Sequence, residues 1–305
     1  MPKPKALIPG NTIGIVSPSS AVTPEQTERC FSLLRGQGYK LKIFPNVYNR
    51  HGFLAGTDDE RVHDLHAAFA DPEVDAVFCS RGGYGAGRLI DQLDWEMMAA
   101  SGKMFLGFSD ITVLHAGLNR RGLPTVHAPM ALTLSFDRPD WVIESFLKVL
   151  KGDLKVPEHA ATGTCLNPGI AEGVVTGGCL ILLCDLIGTK EEVDFTDKLV
   201  LIEDVDESPH RVDAMLTHLI NTKALEKASG LIIGEMTRTD EKADKSIGEL
   251  NWVEIVKERL GPLGLPTMLH FPFGHAKAML SLPMGIRARM DANNGTLSYT
   301  ESLCN

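Results

Sequence analysis

Several short stretches of the 305-residue sequence carry residue types and spacings that could attack a carbonyl. One is Gly107-Phe-Ser-Asp110, which follows the apolar run Met104-Phe-Leu. Where a buried strand turns sharply into a helix, a serine hydroxyl is pushed outward, and the new helix offers unsatisfied N–H groups and a positive dipole end to an anion. Ser109 is therefore a candidate nucleophile. The second glycine of a G-x-S-x-G elbow is missing, and Ser or Asp ahead of a helix also serves as an ordinary N-cap. A second stretch, Ser80-Arg-Gly-Gly-Tyr-Gly-Ala-Gly-Arg88, also follows a strand-like run, and its glycines let backbone N–H groups approach a ligand closely. Glycines 82, 83, 85 and 87 do not satisfy G-x-G-x-x-G, and Arg88-Leu89 stands where a phosphate-binding loop needs Lys-Ser/Thr. Two uses remain for this turn: a backbone oxyanion donor beside the serine turn, because the C-terminal ends of adjacent parallel strands share one crevice, or a tight turn and nothing more.

Glu203-Asp204 closes the apolar strand pattern Lys198-Leu-Val-Leu-Ile. A carboxylate there is costly to bury unless it is hydrogen-bonded, so at least one of the two needs a partner. His275, in the irregular apolar loop Phe271-Pro-Phe-Gly-His275, is a suitable one. Other residues invite different chemistry. His63 and His66 are three apart on a helical pattern and could face a metal together, but no H-E-x-x-H and no third ligand accompany them. Cys79, at a strand end two residues before Arg81, is the best placed thiol, against the reading of a buried core cysteine. His115 and His127 receive no role.

The elements that must position these residues begin with the strand pattern Thr12-Ile-Gly-Ile-Val-Ser17 and a helix capped by Thr23, with Pro24 at its first position and Gln26 completing a capping box. Leu41-Lys-Ile-Phe44 follows, then a helix opened by Thr57-Asp-Asp-Glu60, with Val62, Leu65 and Phe69 at helical spacing. The strand pattern Val74-Asp-Ala-Val-Phe-Cys79 leads into the glycine turn and a helical stretch at 88–93, and Met104-Phe-Leu-Gly107 leads into a helix from about Asp110. Strands separated by helices predict an α/β fold with a doubly wound, mainly parallel sheet. Sustained periodicity lapses at 151–169. The predicted organisation is thus an N-terminal α/β domain over 1–150, a linker over 151–169 and a smaller β-rich C-terminal domain over 170–305. The latter carries strand patterns at 198–203 and 231–235, helices at about 210–219 and 252–260, and two alternating strands around the Asn294-Gly295 turn.

Composition bounds the rest. With 44% hydrophobic and 23% charged residues the chain is ordinary globular material, and 305 residues can bury about three quarters of their unfolded surface without a staple. A net charge of −9 leaves no diffuse positive field for a phosphate backbone, so nucleic acid is not an expected partner. Six cysteines without a C-x-x-C pair read as reduced thiols and suit a cytoplasmic location. The basic start Met-Pro-Lys-Pro-Lys lacks a following apolar core, and the apolar stretch 173–184 is far shorter than the roughly 20 residues of a membrane span, so no export signal or span is expected.

Together the motifs resemble the LD-carboxypeptidases, a family that includes the microcin C self-immunity peptidases. The resemblance spans nearly the whole chain and rests on Gly14-Ile-Val-Ser-Pro18, Ala55-Gly-Thr-Asp-Asp-Glu-Arg61, Ala68-Phe-Ala-Asp-Pro72, Arg81-Gly-Gly-Tyr-Gly85, Gly107-Phe-Ser-Asp-Ile-Thr112, Glu203-Asp-Val205, and Gly274-His275 followed by Leu282-Pro-Met-Gly285. It implies a Ser-Glu-His triad at Ser109, Glu203 and His275, the serine in the N-terminal domain and the other two in the C-terminal one. Oxyanion donors would come from Gly82 or Gly83 and from the N–H of Asp110. The implied substrate is a murein tetrapeptide, cut before its terminal D-Ala in cell-wall recycling, with no metal or organic cofactor and a homodimeric assembly. The sequence departs from the family at Gly177-Gly-Cys-Leu180, where members usually carry Asn in place of Cys179. A carboxypeptidase also needs a cation or a helix N-terminus near the substrate's terminal carboxylate, and Arg81 is the candidate, against a structural pairing with a nearby acid. Two rival readings are a microcin-type peptidase acting on peptidyl or aminoacyl nucleotides and a non-catalytic peptide binder. The first is disfavoured because Trp95, Trp141 and Trp252 are the only tryptophans and none lies in 151–169.

Overall fold

A computed structural model describes residues 3–305, leaving the first two residues of the basic N-terminal stretch outside the description. In chain order the strands are β1 (Thr12–Val16), β2 (Lys40–Ile43), β3 (Ala76–Cys79), β4 (Met104–Gly107), β5 (Thr125–His127), β6 (Thr164–Asn167), β7 (Ile170–Cys179), β8 (Lys198–Val205), β9 (Gly230–Thr237), β10 (Thr267–Leu269), β11 (Leu282–Met284), β12 (Arg287–Asp291) and β13 (Thr296–Tyr299). The helices are α1 (Pro24–Gly36), α2 (Asp58–Ala70), α3 (Trp95–Ala100), α4 (Thr112–Arg120), α5 (Ala131–Leu134), α6 (Asp140–Leu150), α7 (Leu180–Leu186), α8 (Pro209–Asn221) and α9 (Trp252–Leu260).

The chain forms two compact units. One holds the described residues up to Pro157 together with Leu280–Gly285 and Ser302–Asn305. Its sheet runs β11-β5-β4-β3-β1-β2, with β1 to β5 mutually parallel and β11 antiparallel at the edge. The strands carry continuous apolar runs because helices cover them; β3 and β4 are buried at every position. Capping starts two of these helices: the Thr23 N–H donates to Gln26 Oε1 at 2.9 Å, and the Thr57 N–H donates to Glu60 Oε2 at 2.7 Å. Because the chain leaves β1 for β2 on one side and returns to β3 on the other, strand order reverses beside β1, and loops leaving the C-terminal ends of β1, β3 and β4 meet at one crevice.

The other unit holds Glu158–Met279 and Ile286–Glu301. Its sheet runs β13-β12-β7-β8-β9-β10-β6. Here β7, β8, β9 and β10 are parallel, while β12, β13 and β6 join antiparallel. Leu183, Ile202, Leu216, Ile233, Trp252 and Val256 join α7, α8 and α9 to this sheet in one buried cluster.

The division differs from the sequence boundaries. It falls between Pro157 and Glu158, inside the stretch read as a linker, and 164–167 form β6 within the second unit. Two segments of the range 170–305 return to the first unit. The helical stretch placed at 88–93 is a short 3-10 turn, Ala86–Leu89.

Candidate active site

Ser109 sits one residue beyond the start of the turn that leaves β4, at the head of a 3-10 turn, Ser109–Ile111, that runs on into α4. Its φ is +66°, a left-handed conformation that costs a non-glycine residue roughly 1–3 kcal/mol and persists only where the surroundings enforce it. The surroundings are visible. Gly82, in the turn after β3, packs so closely that a Cβ there would lie 2.9 Å from Ser109 Cβ and 3.1 Å from its Oγ. The same imagined Cβ would stand 3.3 Å from the Asp110 backbone N, so the glycine turn and the N–H after the serine are neighbours. The fold brings Gly82, Ser109 and the Asp110 N–H together, with Gly83 following at φ +109°.

The Asp110 side chain holds this arrangement. It is 2% exposed and accepts hydrogen bonds from Ser19 Oγ at 2.6 Å, beyond β1, and from the Ala86 N–H at 2.8 Å, in the glycine turn. Burial raises its pKa, partly offset by these hydrogen bonds. Arg61, 1% exposed on α2, donates to the Pro18 carbonyl and, at 2.8 Å, to that of Gly85. His115, fully buried on α4, donates from Nε2 to the Gly107 carbonyl at 2.8 Å and accepts at Nδ1 from Thr125 Oγ1 at 2.8 Å. Burial lowers its pKa to about 3, so it stays neutral and braces the strand end two residues ahead of Ser109. Sequence reasoning had no role for His115, Arg61 or Ser19.

In the second unit Glu203 occupies the C-terminal end of β8 with 0% exposure. Its Oε2 accepts from His275 Nδ1 at 2.7 Å and from the His275 backbone N–H at 3.1 Å. With Nδ1 donating, the neutral imidazole carries its lone pair on Nε2, the tautomer a general base needs. Burial alone would lower the His275 pKa, but the charge of Glu203 and its hydrogen bond, helped by Asp204 and Asp206, raise it above the ordinary histidine value. Asp204 turns the other way along β8 and accepts the Ile181 N–H at 2.9 Å and the Val205 N–H at 2.7 Å. Burial, then the Glu203 charge, push its pKa up to about 6. Cys179 is the register partner of Glu203 on β7 and is buried.

Gly274 makes the Glu203–His275 contact possible. Its φ is +86°, and a Cβ there would stand 2.3 Å from Glu203 Oε2 and 2.5 Å from Cδ. Gly274→Ala is therefore expected to destabilise the protein by about 1–3 kcal/mol, through overpacking and a left-handed backbone. Denaturant unfolding of parent and variant checks this, and a variant as stable as the parent would show that the carboxylate relocates freely.

The remaining candidates resolve differently. Arg81 is half-buried; its Nη1 donates to the Ala21 carbonyl at 3.1 Å, its Nε is buried without a partner, and no carboxylate among the described residues pairs with it. His66 Nε2 accepts the Asp94 N–H at 2.9 Å, which takes up a nitrogen that a shared metal would need, and no group of three or more metal-ligating side chains occurs among the described residues. Cys79 is fully buried, and burial raises its pKa well above the ordinary thiol value, which suits a core residue and not a nucleophile. Trp95 and Trp252 are largely buried, at 6% and 5% exposure.

Comparison with known proteins adds the family. The profile of the LD-carboxypeptidase N-terminal domain matches residues 13–128, and that of the LD-carboxypeptidase C-terminal domain matches residues 172–290. The chain belongs to the LD-carboxypeptidase family. A Streptomyces coelicolor protein named for carboxypeptidase activity is 39% identical over 99% of this chain and 97% of its own. The murein tetrapeptide carboxypeptidase of Pseudomonas aeruginosa is 30% identical over 92% of this chain and 93% of its own. Among solved structures, the muramoyltetrapeptide carboxypeptidase of Oxalobacter formigenes superposes with a TM-score of 0.83 at 28% identity, covering 94% of this chain and 97% of that one. Within this LD-carboxypeptidase chain Ser109 lies in the segment matched by the N-terminal profile, and Glu203 and His275 in that matched by the C-terminal one.

Proposed function

We propose that this chain is a serine-type LD-carboxypeptidase that hydrolyses the amide bond before the C-terminal D-Ala of murein tetrapeptides, with Ser109, His275 and Glu203 as its triad. The observation that carries the reading is the buried Glu203 holding His275 at Nδ1, 2.7 Å away, in a chain whose strained serine turn has the order the family uses. In the first step the Ser109 hydroxyl proton passes to His275 Nε2 as Oγ adds to the carbonyl carbon of the diamino acid. The oxyanion takes hydrogen bonds from the N–H of Asp110 and from that of Gly82 or Gly83. Collapse breaks the C–N bond, and the imidazolium proton goes to the departing amine of D-Ala. Water, deprotonated by His275, then adds to the acyl-enzyme carbonyl; the second collapse returns the proton to Ser109 and releases the tripeptide. Glu203 keeps the ring in register and stabilises the imidazolium formed in each half-reaction.

Arg81 supplies the carboxylate selectivity in this reading. Its half-buried guanidinium has no acidic partner among the described residues, and Nη2 lies 3.6 Å from the position of a Cβ on Gly83, beside the oxyanion turn. The acid substrate is expected to exceed its C-terminal amide by roughly 10- to 150-fold in kcat/KM, the value of a charge-assisted pair of about 1.5–3 kcal/mol. Arg81→Gln is expected to lose most of that ratio. Both substrates assayed with both proteins test it: equal cleavage of acid and amide by the parent would overturn carboxypeptidase action, and an undiminished ratio in the variant would move the carboxylate contact elsewhere.

A further inference from the structure

The glycine turn that packs on Ser109 is held by side chains that take no part in the chemistry proposed above. At its start Ser17 Oγ and Ser80 Oγ share a hydrogen bond of 2.6 Å. Further along, the Ser20 N–H donates to the Gly82 carbonyl at 3.3 Å, and the Tyr84 N–H donates to Ser20 Oγ at 3.2 Å. At its end a single peptide unit is gripped on both sides. Arg61 Nη1 donates to the Gly85 carbonyl at 2.8 Å, and the Ala86 N–H of the same unit donates to Asp110 Oδ2 at 2.8 Å. The Arg61 charge acts on that carboxylate as well. Arg61 is fixed in turn by Asp58, whose carboxylate also takes Arg88 through contacts of 2.8 and 3.0 Å. Gly85 has a φ of +129°, and a Cβ there would stand 2.7 Å from Arg61 Nη1, so this grip needs a glycine.

Asp110 differs from the other anchors in its place in the chain. It directly follows Ser109, and its side chain reaches both the glycine turn and, at 2.6 Å, Ser19 Oγ beyond β1. Loops leaving three strand ends thus meet at one buried oxygen, where hydrogen bonds to a charge are strong. We propose that the Asp110 carboxylate and Arg61 are positioning residues for the oxyanion site: by fixing the Gly85–Ala86 peptide unit they hold the turn's N–H groups and that of Asp110 at one spacing around Ser109. The inference rests on the serine-hydrolase reading above. The charge those donors meet exists only after Oγ has added, so a loosened turn costs turnover and leaves substrate binding nearly untouched.

The test follows two reactions, fluorophosphonate labelling of Ser109 and hydrolysis of a murein tetrapeptide. Asp110→Ala is expected to lower the labelling rate and kcat by about 10²-fold, the cost of one misplaced oxyanion donor, with KM within about threefold of the parent's. Both hydrogen bonds to Asp110 end on Oδ2, so the amide oxygen of Asp110→Asn can accept both, and that variant is expected to stay within about tenfold of the parent. Arg61→Lys keeps the charge and loses the fork that spans the Pro18 and Gly85 carbonyls. It is expected to lose about tenfold in the labelling rate, and it decides the matter where Asp110→Ala does not fold. A loss carried by KM, or an equal loss in Asp110→Asn and Asp110→Ala, would overturn the inference. Labelling that falls in Asp110→Ala and recovers in Asp110→Asn upholds it even where the parent leaves the tetrapeptide intact, a result that overturns the carboxypeptidase alone. A parent that cleaves the tetrapeptide while all four proteins label at one rate keeps the carboxypeptidase and overturns the positioning role.

Discussion

Ser109→Ala is expected to lower kcat/KM on a murein tetrapeptide by on the order of 10⁴-fold or more, because nucleophile, base and orienting acid act as a unit and the loss of one removes nearly all their effect. The fold should survive. Alanine keeps the Cβ that faces Gly82, and it pays the same left-handed backbone cost that serine already pays at φ +66°. Circular dichroism and the unfolding midpoint check that expectation. A fluorophosphonate should label the parent at Ser109 and leave the variant unmodified. Turnover in the variant comparable to the parent's would place the nucleophile on another residue.

The order of elements in the first unit was legible because each boundary is a local event. Thr23 and Thr57 announce their helices through side chain to backbone contacts three residues apart, and both capping boxes are present. The hairpin of β12 and β13 around Asn294-Gly295 and the limits of α9 were legible for the same reason. What the sequence hid is long-range. The three residues of β11 contain Pro283 and show no period, yet they pair antiparallel with β5 and so return the chain to the first unit. Apolar spacing on α2 picked out Val62, whereas the buried face carries Arg61 and Asp64 alongside Leu65, Ala68 and Phe69. Arg61 is inside because its guanidinium answers carbonyls in the loops after β1 and β3, and Asp64 because it accepts the N–H of Asn46 at 2.8 Å and its side-chain amide at 2.8 Å. No periodicity reports partners that far apart. The need for a partner to Glu203 was readable from its apolar strand, but the partner's identity depended on a glycine 71 positions later that clears room for the carboxylate.

Glu203→Gln is expected to separate charge from geometry at the same site. Both hydrogen bonds from His275 end on one carboxylate oxygen, Oε2, so an amide oxygen in that place can accept both and keep the tautomer. What disappears is the negative charge that stabilises the imidazolium, and the expected loss at high pH is on the order of 10²-fold, the value of one charge-assisted contact and well short of the loss for His275→Ala. The pH profile carries the sharper signature. The base works only when neutral, so kcat/KM rises with pH through the His275 pKa, which in the parent stands above the ordinary histidine value. Burial opposes that elevation, and the Glu203 charge and hydrogen bond outweigh it. Removing the charge leaves burial to lower the pKa, so the acid limb of the variant should move to lower pH and the gap between the two enzymes should narrow as pH falls. Profiles of kcat/KM for both proteins decide the matter. An acid limb in Glu203→Gln that coincides with the parent's, together with an unchanged plateau, would remove Glu203 from the triad and leave the neighbouring Asp204 as the group to replace next.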